Sequence, residues 1–183
     1  MADYLGYTFV DAQELIAFNY DGTTDEDKIQ AKVDEVLKKY SKIVVPGFYG
    51  SYPDSQIKLL SRGGSDVTGS ILAKASNADI YENWTDVSGF LMADPRIVKK
   101  PKQIASISYK ELRELSYMGA SVLHEDAIYP ARMANVPINI RNTNRPNDDG
   151  TIITSKCTDN SQIITGIAGK KNYESMLNRL HYY

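Results

Sequence analysis

Arg62-Gly63-Gly64-Ser65-Asp66 has the composition of an anion cradle. Adjacent glycines let the backbone approach a ligand closely, and free N–H groups at a helix start favour negative groups. Arg62 adds a planar fork suited to a carboxylate or phosphate. The same spacing equally fits a plain turn with Ser65 as helix N-cap, and pattern alone leaves the two readings level. A second polar constellation, Thr85-Asp86 followed by Asp94-Pro95-Arg96, brackets a loop after an apolar run. Ligands of open parallel sheets bind beyond the carboxyl ends of the strands, so both segments are candidates for one crevice. Taken singly, Asp86 and Asp94 read as loop-capping residues and Trp84 as a core residue.

Other chemistries are poorly supported. The chain has no G-x-x-x-x-G-K-[ST] and no G-x-G-x-x-G after a strand, the two commonest nucleotide fingerprints. Ser65 lacks the G-x-S-x-G elbow, and of the two histidines, His124 and His181, the first reads as a structural residue between helices. A lone cysteine, Cys157, can form neither an internal disulfide nor a zinc cluster, which points to a reducing, cytoplasmic setting. The 13 tyrosines follow no period and read as core and surface residues rather than as a stacking platform.

The elements that must position these residues alternate between period 2 and period 3.6, the signature of an α/β fold. Tyr7–Val10 reads as a strand and Ala12–Phe18 as one or two helical turns. A clearer helix follows, with Thr24 as cap, acidic residues Asp25–Asp27 in its first turn, and Ile29, Val33, Val36 and Leu37 at helical spacing. Ile43–Val45 reads as a strand buried on both faces, ending at Pro46-Gly47. Gln56–Leu60 is a weaker strand that runs directly into the glycine turn and the helix carrying Val67, Ile71, Leu72 and Ala75. Ala78–Trp84, Val136–Ile140 and Thr151–Thr154 read as further strands. Ser108–Met118 and Glu125–Ala134 read as helices, and Asn142–Gly150 as a polar surface loop. Ile163–Gly169 opens a small further unit.

Length and charge narrow the class. At 183 residues the chain suits one compact domain, and 21 basic against 23 acidic residues leave a net charge of −2. No basic field invites nucleic acid or anionic lipid. The N-terminus has no signal-peptide pattern, and no stretch reaches the roughly 20 apolar residues that span a bilayer. Neither secretion nor membrane insertion is expected.

Taken together, the motifs resemble the aspartokinases of the amino-acid kinase superfamily. Ser61-Arg-Gly-Gly-Ser-Asp-Val-Thr68 is similar to that family's substrate turn, and Trp84-Thr-Asp-Val-Ser-Gly-Phe-Leu-Met-Ala-Asp-Pro-Arg96 to its nucleotide loop. Glu114-Leu-Ser-Tyr-Met-Gly-Ala-Ser-Val-Leu-His124 resembles the helix that follows, and Val136–Ile140 with Gly150–Ile153 the end of the kinase domain. The resemblance runs from about Gly47 to Lys171. It implies an amino-acid kinase-like, partial α/β fold, with a largely parallel sheet covered by helices. Residues 1–156 would be the C-terminal, nucleotide-binding half of the catalytic domain, and 157–183 a linker and the start of an ACT regulatory domain.

The activity implied is transfer of the ATP γ-phosphoryl group, with Mg2+, to the side-chain carboxylate of L-aspartate, the opening step of lysine, threonine and methionine biosynthesis. Carried onto matching positions, Arg62, Gly63, Gly64 and Ser65 would hold aspartate and Asp66 would orient the catalytic groups. Thr85, Asp86, Leu91, Arg96, Ser121 and Val122 would contact ATP. Three departures qualify this. The family's Lys-Phe-Gly-Gly-Ser type turn occurs nowhere in the chain, so the chain alone is expected to be weak or inactive. Ser121 stands where many members carry Lys, and Leu91 where many carry Tyr. The chain ends where members continue into ACT modules. A homo-oligomer, or association with a complementary N-terminal half, is expected. Two alternatives stay open: a noncatalytic nucleotide-binding or assembly module, and a related kinase acting on glutamate, acetylglutamate or UMP.

Overall fold

The computed structural model describes residues 1–61, 63–117, 125–156, 164–170 and 173–178, which divide into two compact units. The first comprises Met1–Ala78 and Asp126–Ala134. It begins with α1 (Ala2–Leu5), β1 (Thr8–Phe9), α2 (Ala12–Leu15) and α3 (Glu26–Lys39). Asp11 caps α2 by accepting from Gln13 N at 3.0 Å, and its carboxylate also receives the Tyr49 hydroxyl at 3.0 Å. Burial first, and that carboxylate second, push the Tyr49 phenol above its ordinary pKa. The cap of α3 is Asp25, accepting from Lys28 N at 3.1 Å, rather than Thr24. An Asp one residue nearer the helix satisfies the same orphan N–H, while Thr24 bridges to Phe18 instead. Ile29 and Val33 turn inward onto Val10, Leu15, Ile16 and Ile71. Each such aliphatic side chain contributes about 1.5–3 kcal/mol when fully buried.

Three more strands and a helix lead to the glycine turn: β2 (Ile43–Val44), β3 (Tyr49–Ser51), β4 (Ile57–Leu59) and α4 (Gly64–Ala75). β2 pairs in parallel with β1, and both its residues are half-buried, so the expectation of a strand covered on both faces is corrected. β3 and β4 form an antiparallel hairpin, Tyr49 opposite Leu59. The other edge of β3 is closed by Ser51 N donating to Ile16 O and Phe18 N to Ser51 O, both at 2.9 Å. Gly50 admits this approach because a Cβ there would overlap Ile16.

The second unit, Asp79–Glu125 and Asn135–Tyr183, holds β5 (Tyr81–Thr85), β6 (Ser106–Ser108) and α5 (Tyr109–Tyr117). Between its two stretches α6 (Glu125–Met133) returns the chain to the first unit, where Ala131 N donates to the buried Ser70 hydroxyl at 2.9 Å. The second unit continues with β7 (Ile138–Asn142), β8 (Thr151–Thr154), β9 (Ile164–Lys170) and β10 (Tyr173–Asn178). Its four-stranded sheet has the order β5-β7-β8-β6. The outer pairs are parallel and the central β7–β8 pair is antiparallel, as the short loop after Asn142 requires. The α/β class stands, while the pairing is mixed: β3–β4 and β9–β10 are antiparallel too. Ile107, Ile138, Ile140 and Ile153 line one sheet face, all fully buried.

Ser108 and Glu111 start α5 with a reciprocal box: Glu111 N donates to Ser108 Oγ at 3.2 Å and Ser108 N to Glu111 Oε2 at 2.9 Å. The other carboxylate oxygen of Glu111 accepts from the buried Thr165 hydroxyl at 2.6 Å, tying β9 to the same helix end. Among the described residues no helix is long and apolar enough to cross a membrane.

Candidate functional site

The glycine turn of the first unit is built from backbone. Leu60 N donates to Phe48 O at 2.8 Å as β4 ends, and after residue 62 Gly63 adopts φ 81°, ψ 11°, left-handed geometry open to glycine at no steric cost. Gly63 occupies the N-cap position of α4 with no side-chain cap, so Ser65 is not the cap; it is exposed in the first helical turn. Helix geometry leaves the N–H groups of Gly64 and Ser65 without acceptors inside α4. Among the described residues, a Cβ on Gly63 would meet nothing within 4 Å.

Gly64 is the opposite case. A Cβ there would lie 2.7 Å from Leu60 Cβ and 2.9 Å from Phe48 Cδ2. Thr68 locks the arrangement one turn on, accepting from Phe48 N at 3.1 Å and donating to Gly64 O at 2.8 Å. Asp66, half-buried, adds negative charge where the helix dipole favours it. The turn therefore places main-chain N–H groups at a helix start, a position that favours negative groups. Arg62 lies outside the described residues.

The loop of the second unit is held by side chains. Thr85 O, at the end of β5, accepts from Thr143 N at 2.8 Å and Thr143 Oγ1 at 3.0 Å. Ser88 Oγ donates to Asp148 Oδ2 at 2.5 Å and accepts from Asn142 Nδ2 at 3.0 Å. Gly89 takes φ 87° against Thr151, whose N would sit 2.7 Å from any Cβ. Phe90 N then donates to Thr151 Oγ1 at 2.8 Å, and that hydroxyl donates to Ile104 O at 2.5 Å. Between the anchored ends Asp86 and Val87 stay exposed, as does Leu91 beyond them.

Arg96 is 86% exposed yet fixed in direction, with Nε 3.0 Å and Nη2 2.6 Å from the Asp94 carboxylate. The hydrogen bonds from Arg96 hold the Asp94 carboxyl below its ordinary pKa, and the carboxylate raises the guanidinium in turn. Asp94 is thus a loop cap that also aims a cation. Trp84 is 44% exposed, which corrects the core expectation; its face carries the Arg141 guanidinium 4.9 Å from the ring centroid. Ser121, Val122 and His124 lie outside the described residues, as do Cys157 and His181.

The model of the amino acid kinase family matches residues 2–142. The chain belongs to that family. Within it, Aspartokinase 3 of Bacillus subtilis (strain 168) is 44% identical over 134 residues, which are 73% of this chain and 30% of that protein. The crystal structure of Clostridium acetobutylicum aspartate kinase is similar at 56% identity and a TM-score of 0.83, covering 91% of this chain and 38% of that one. Escherichia coli aspartokinase III, solved in complex with lysine and aspartate, is similar at 28% identity and a TM-score of 0.80, covering 88% and 37%. The chain spans well under half the length of the relatives it matches.

Motif reading found the turn and the loop but missed the residues that hold them. Phe48 and Thr68 behind the turn, and Asn142, Asp148 and Thr151 behind the loop, are remote in sequence and of ordinary type. The one sequence signal was Gly89, whose need for positive φ was not read.

Proposed function

We propose that this amino acid kinase chain serves an aspartate kinase, which transfers the γ-phosphoryl group of ATP to the side-chain carboxylate of L-aspartate. The observation that carries the proposal is the Gly63–Asp66 turn, with its left-handed glycine and the main-chain N–H groups of Gly64 and Ser65 at the start of α4. Those donors suit the amino acid's carboxylate, which is small, planar and negative. Arg62 adds its fork to the same anion. Asp66 orients the catalytic groups, and Thr85, Asp86, Leu91, Arg96, Ser121 and Val122 receive the nucleotide. Likeness to enzymes called aspartokinase favours this acceptor over glutamate, acetylglutamate or UMP.

In the transfer a carboxylate oxygen of the acceptor forms the new P–O bond while the bond from the γ-phosphorus to the bridging oxygen breaks, releasing ADP. Positioning and charge neutralisation supply most of the catalysis in such reactions. Among the described residues no cluster of three or more His, Cys, Asp or Glu could cage a metal. Mg2+ needs no such cage, since it keeps waters and binds phosphate oxygens with one or two carboxylates. Bound there, the ion would neutralise charge on the phosphates.

Residues 1–156 act in this reading as part of the catalytic domain and 157–183 as linker and regulatory start, in a cytoplasmic homo-oligomer or in association with a complementary chain. No Lys-Phe-Gly-Gly-Ser type turn occurs in the 183 residues, so the chain alone is expected to release little ADP, several orders of magnitude below a complete site. Calorimetric titration of the chain with Mg-ATP and with L-aspartate tests the proposal. Saturable binding of both, with glutamate and UMP not bound, is the expected result. UMP binding in place of aspartate would overturn the acceptor assignment.

A further inference from the structure

We infer that Gln103 is a positioning residue for the nucleotide loop, gripping the Ser88 carbonyl while Asp148 grips the Ser88 hydroxyl. This rests on the reading of Thr85–Arg96 as the nucleotide loop. Gln103 lies directly across an antiparallel bridge from Leu91. Backbone bonds flank that bridge, Met92 N to Lys102 O and Ile104 N to Phe90 O, each at 2.8 Å. From this fixed base the side-chain amide reaches sideways. Its Nε2 donates to Ser88 O at 2.6 Å and to Gly150 O at 2.7 Å. One NH2 group thus joins the loop to the start of β8 and spends both of its hydrogens doing so. Asp148 closes the other side through the Ser88 Oγ contact at 2.5 Å.

The consequence falls on the peptide between Ser88 and Gly89. With the Ser88 carbonyl and hydroxyl both held, Gly89 is presented at φ 87° and Phe90 N is aimed at Thr151 Oγ1. Asp86 and Val87 are then displayed from a loop ordered before any ligand arrives. A loop without the brace pays that ordering on binding, so nucleotide affinity falls. Gln103 is itself exposed, and its bond to Ser88 O lies at the surface while that to Gly150 O is half-buried. Loss of the surface bond to Ser88 O loosens the loop more than it lowers global stability, which separates positioning from a merely structural role.

The test uses the full chain and three readouts: Mg-ATP affinity by calorimetry, L-aspartate affinity, and amide hydrogen exchange at Gly89 and Phe90. Gln103→Leu, which keeps bulk and removes the donor, should weaken Mg-ATP binding about fivefold and speed exchange at both amides. Aspartate affinity should hold, and the thermal midpoint should stay within about 2 °C. Gln103→Glu, isosteric but without donors, should weaken Mg-ATP binding at least as much. Unchanged Mg-ATP affinity in Gln103→Leu overturns the positioning role and leaves the nucleotide reading intact. A parallel fall in both affinities and in the midpoint overturns it in favour of a structural role. Absence of Mg-ATP binding in the parent chain, with exchange still faster in the variant, removes the nucleotide reading and the proposed role with it.

Discussion

The glycine turn after β4 and the loop after β5 answer the same demand, presenting a polar surface in fixed geometry, by opposite means. The turn is made of what side chains are not there. Gly63 supplies a backbone angle, Gly64 supplies room, and the donors belong to the main chain. The loop is made of side chains brought from elsewhere. Thr143, Asp148 and Thr151 come from the far side of α6 in the sequence and meet Thr85, Ser88 and Phe90. A backbone device is sensitive to any added atom, whereas a side-chain device fails one hydrogen bond at a time.

That contrast can be broken most forcefully at Gly64. Alanine there meets Leu60 and Phe48 below 3.0 Å, and overpacking of this kind costs about 1–3 kcal/mol. Thermal unfolding should show it, together with loss of aspartate binding; a fully stable Gly64→Ala variant would mean the turn has slack. Next comes Thr151→Val, which keeps shape but leaves the buried Phe90 N–H without its acceptor, at about 1–3 kcal/mol. Urea unfolding measures that cost, and Thr151→Ser should recover most of it.

Gly63→Ala sharpens the comparison from the other side. Among the described residues nothing lies within 4 Å of the new methyl, so the left-handed backbone carries the penalty, about 1 kcal/mol. A loss as large as that of Gly64→Ala would show that the space above Gly63 is not open. The smallest effect concerns Asp94, whose folded pKa is lowered by Arg96. The pair's contribution is therefore present above the ordinary carboxylate pKa of about 3.9 and fades as pH falls through the lower folded value. Carboxyl NMR titration should find the Asp94 midpoint higher in Arg96→Ala than in the parent chain, and an identical midpoint would dismiss the pair as a device for aiming Arg96.

Local patterns made much of this legible. The apolar spacing of Ile29 and Val33 located α3, the β-branched run at Thr151–Thr154 located β8, and the glycine pair located the turn. Errors arose where two local solutions were nearly equal in energy. Asp25 outcompeted Thr24 as a cap, and Gly63 took the cap position that Ser65 could have held. Trp84 read as core because size and hydrophobicity are local properties, but its neighbour across the sheet, Arg141, is polar. Gln103 carried no signal at all. A glutamine is informative only once something is known to lie opposite it.

The amino-acid sequence by itself determined the family, the α/β alternation and the order of the two candidate binding segments, because each depends on residues close together in the chain. Tertiary structure alone decided which residues hold the loop after β5. Hydrogen bonds form between atoms about 3 Å apart whatever their separation in sequence. Ser88 and Asp148, sixty positions apart, became partners only when β5, β7 and β8 were laid side by side.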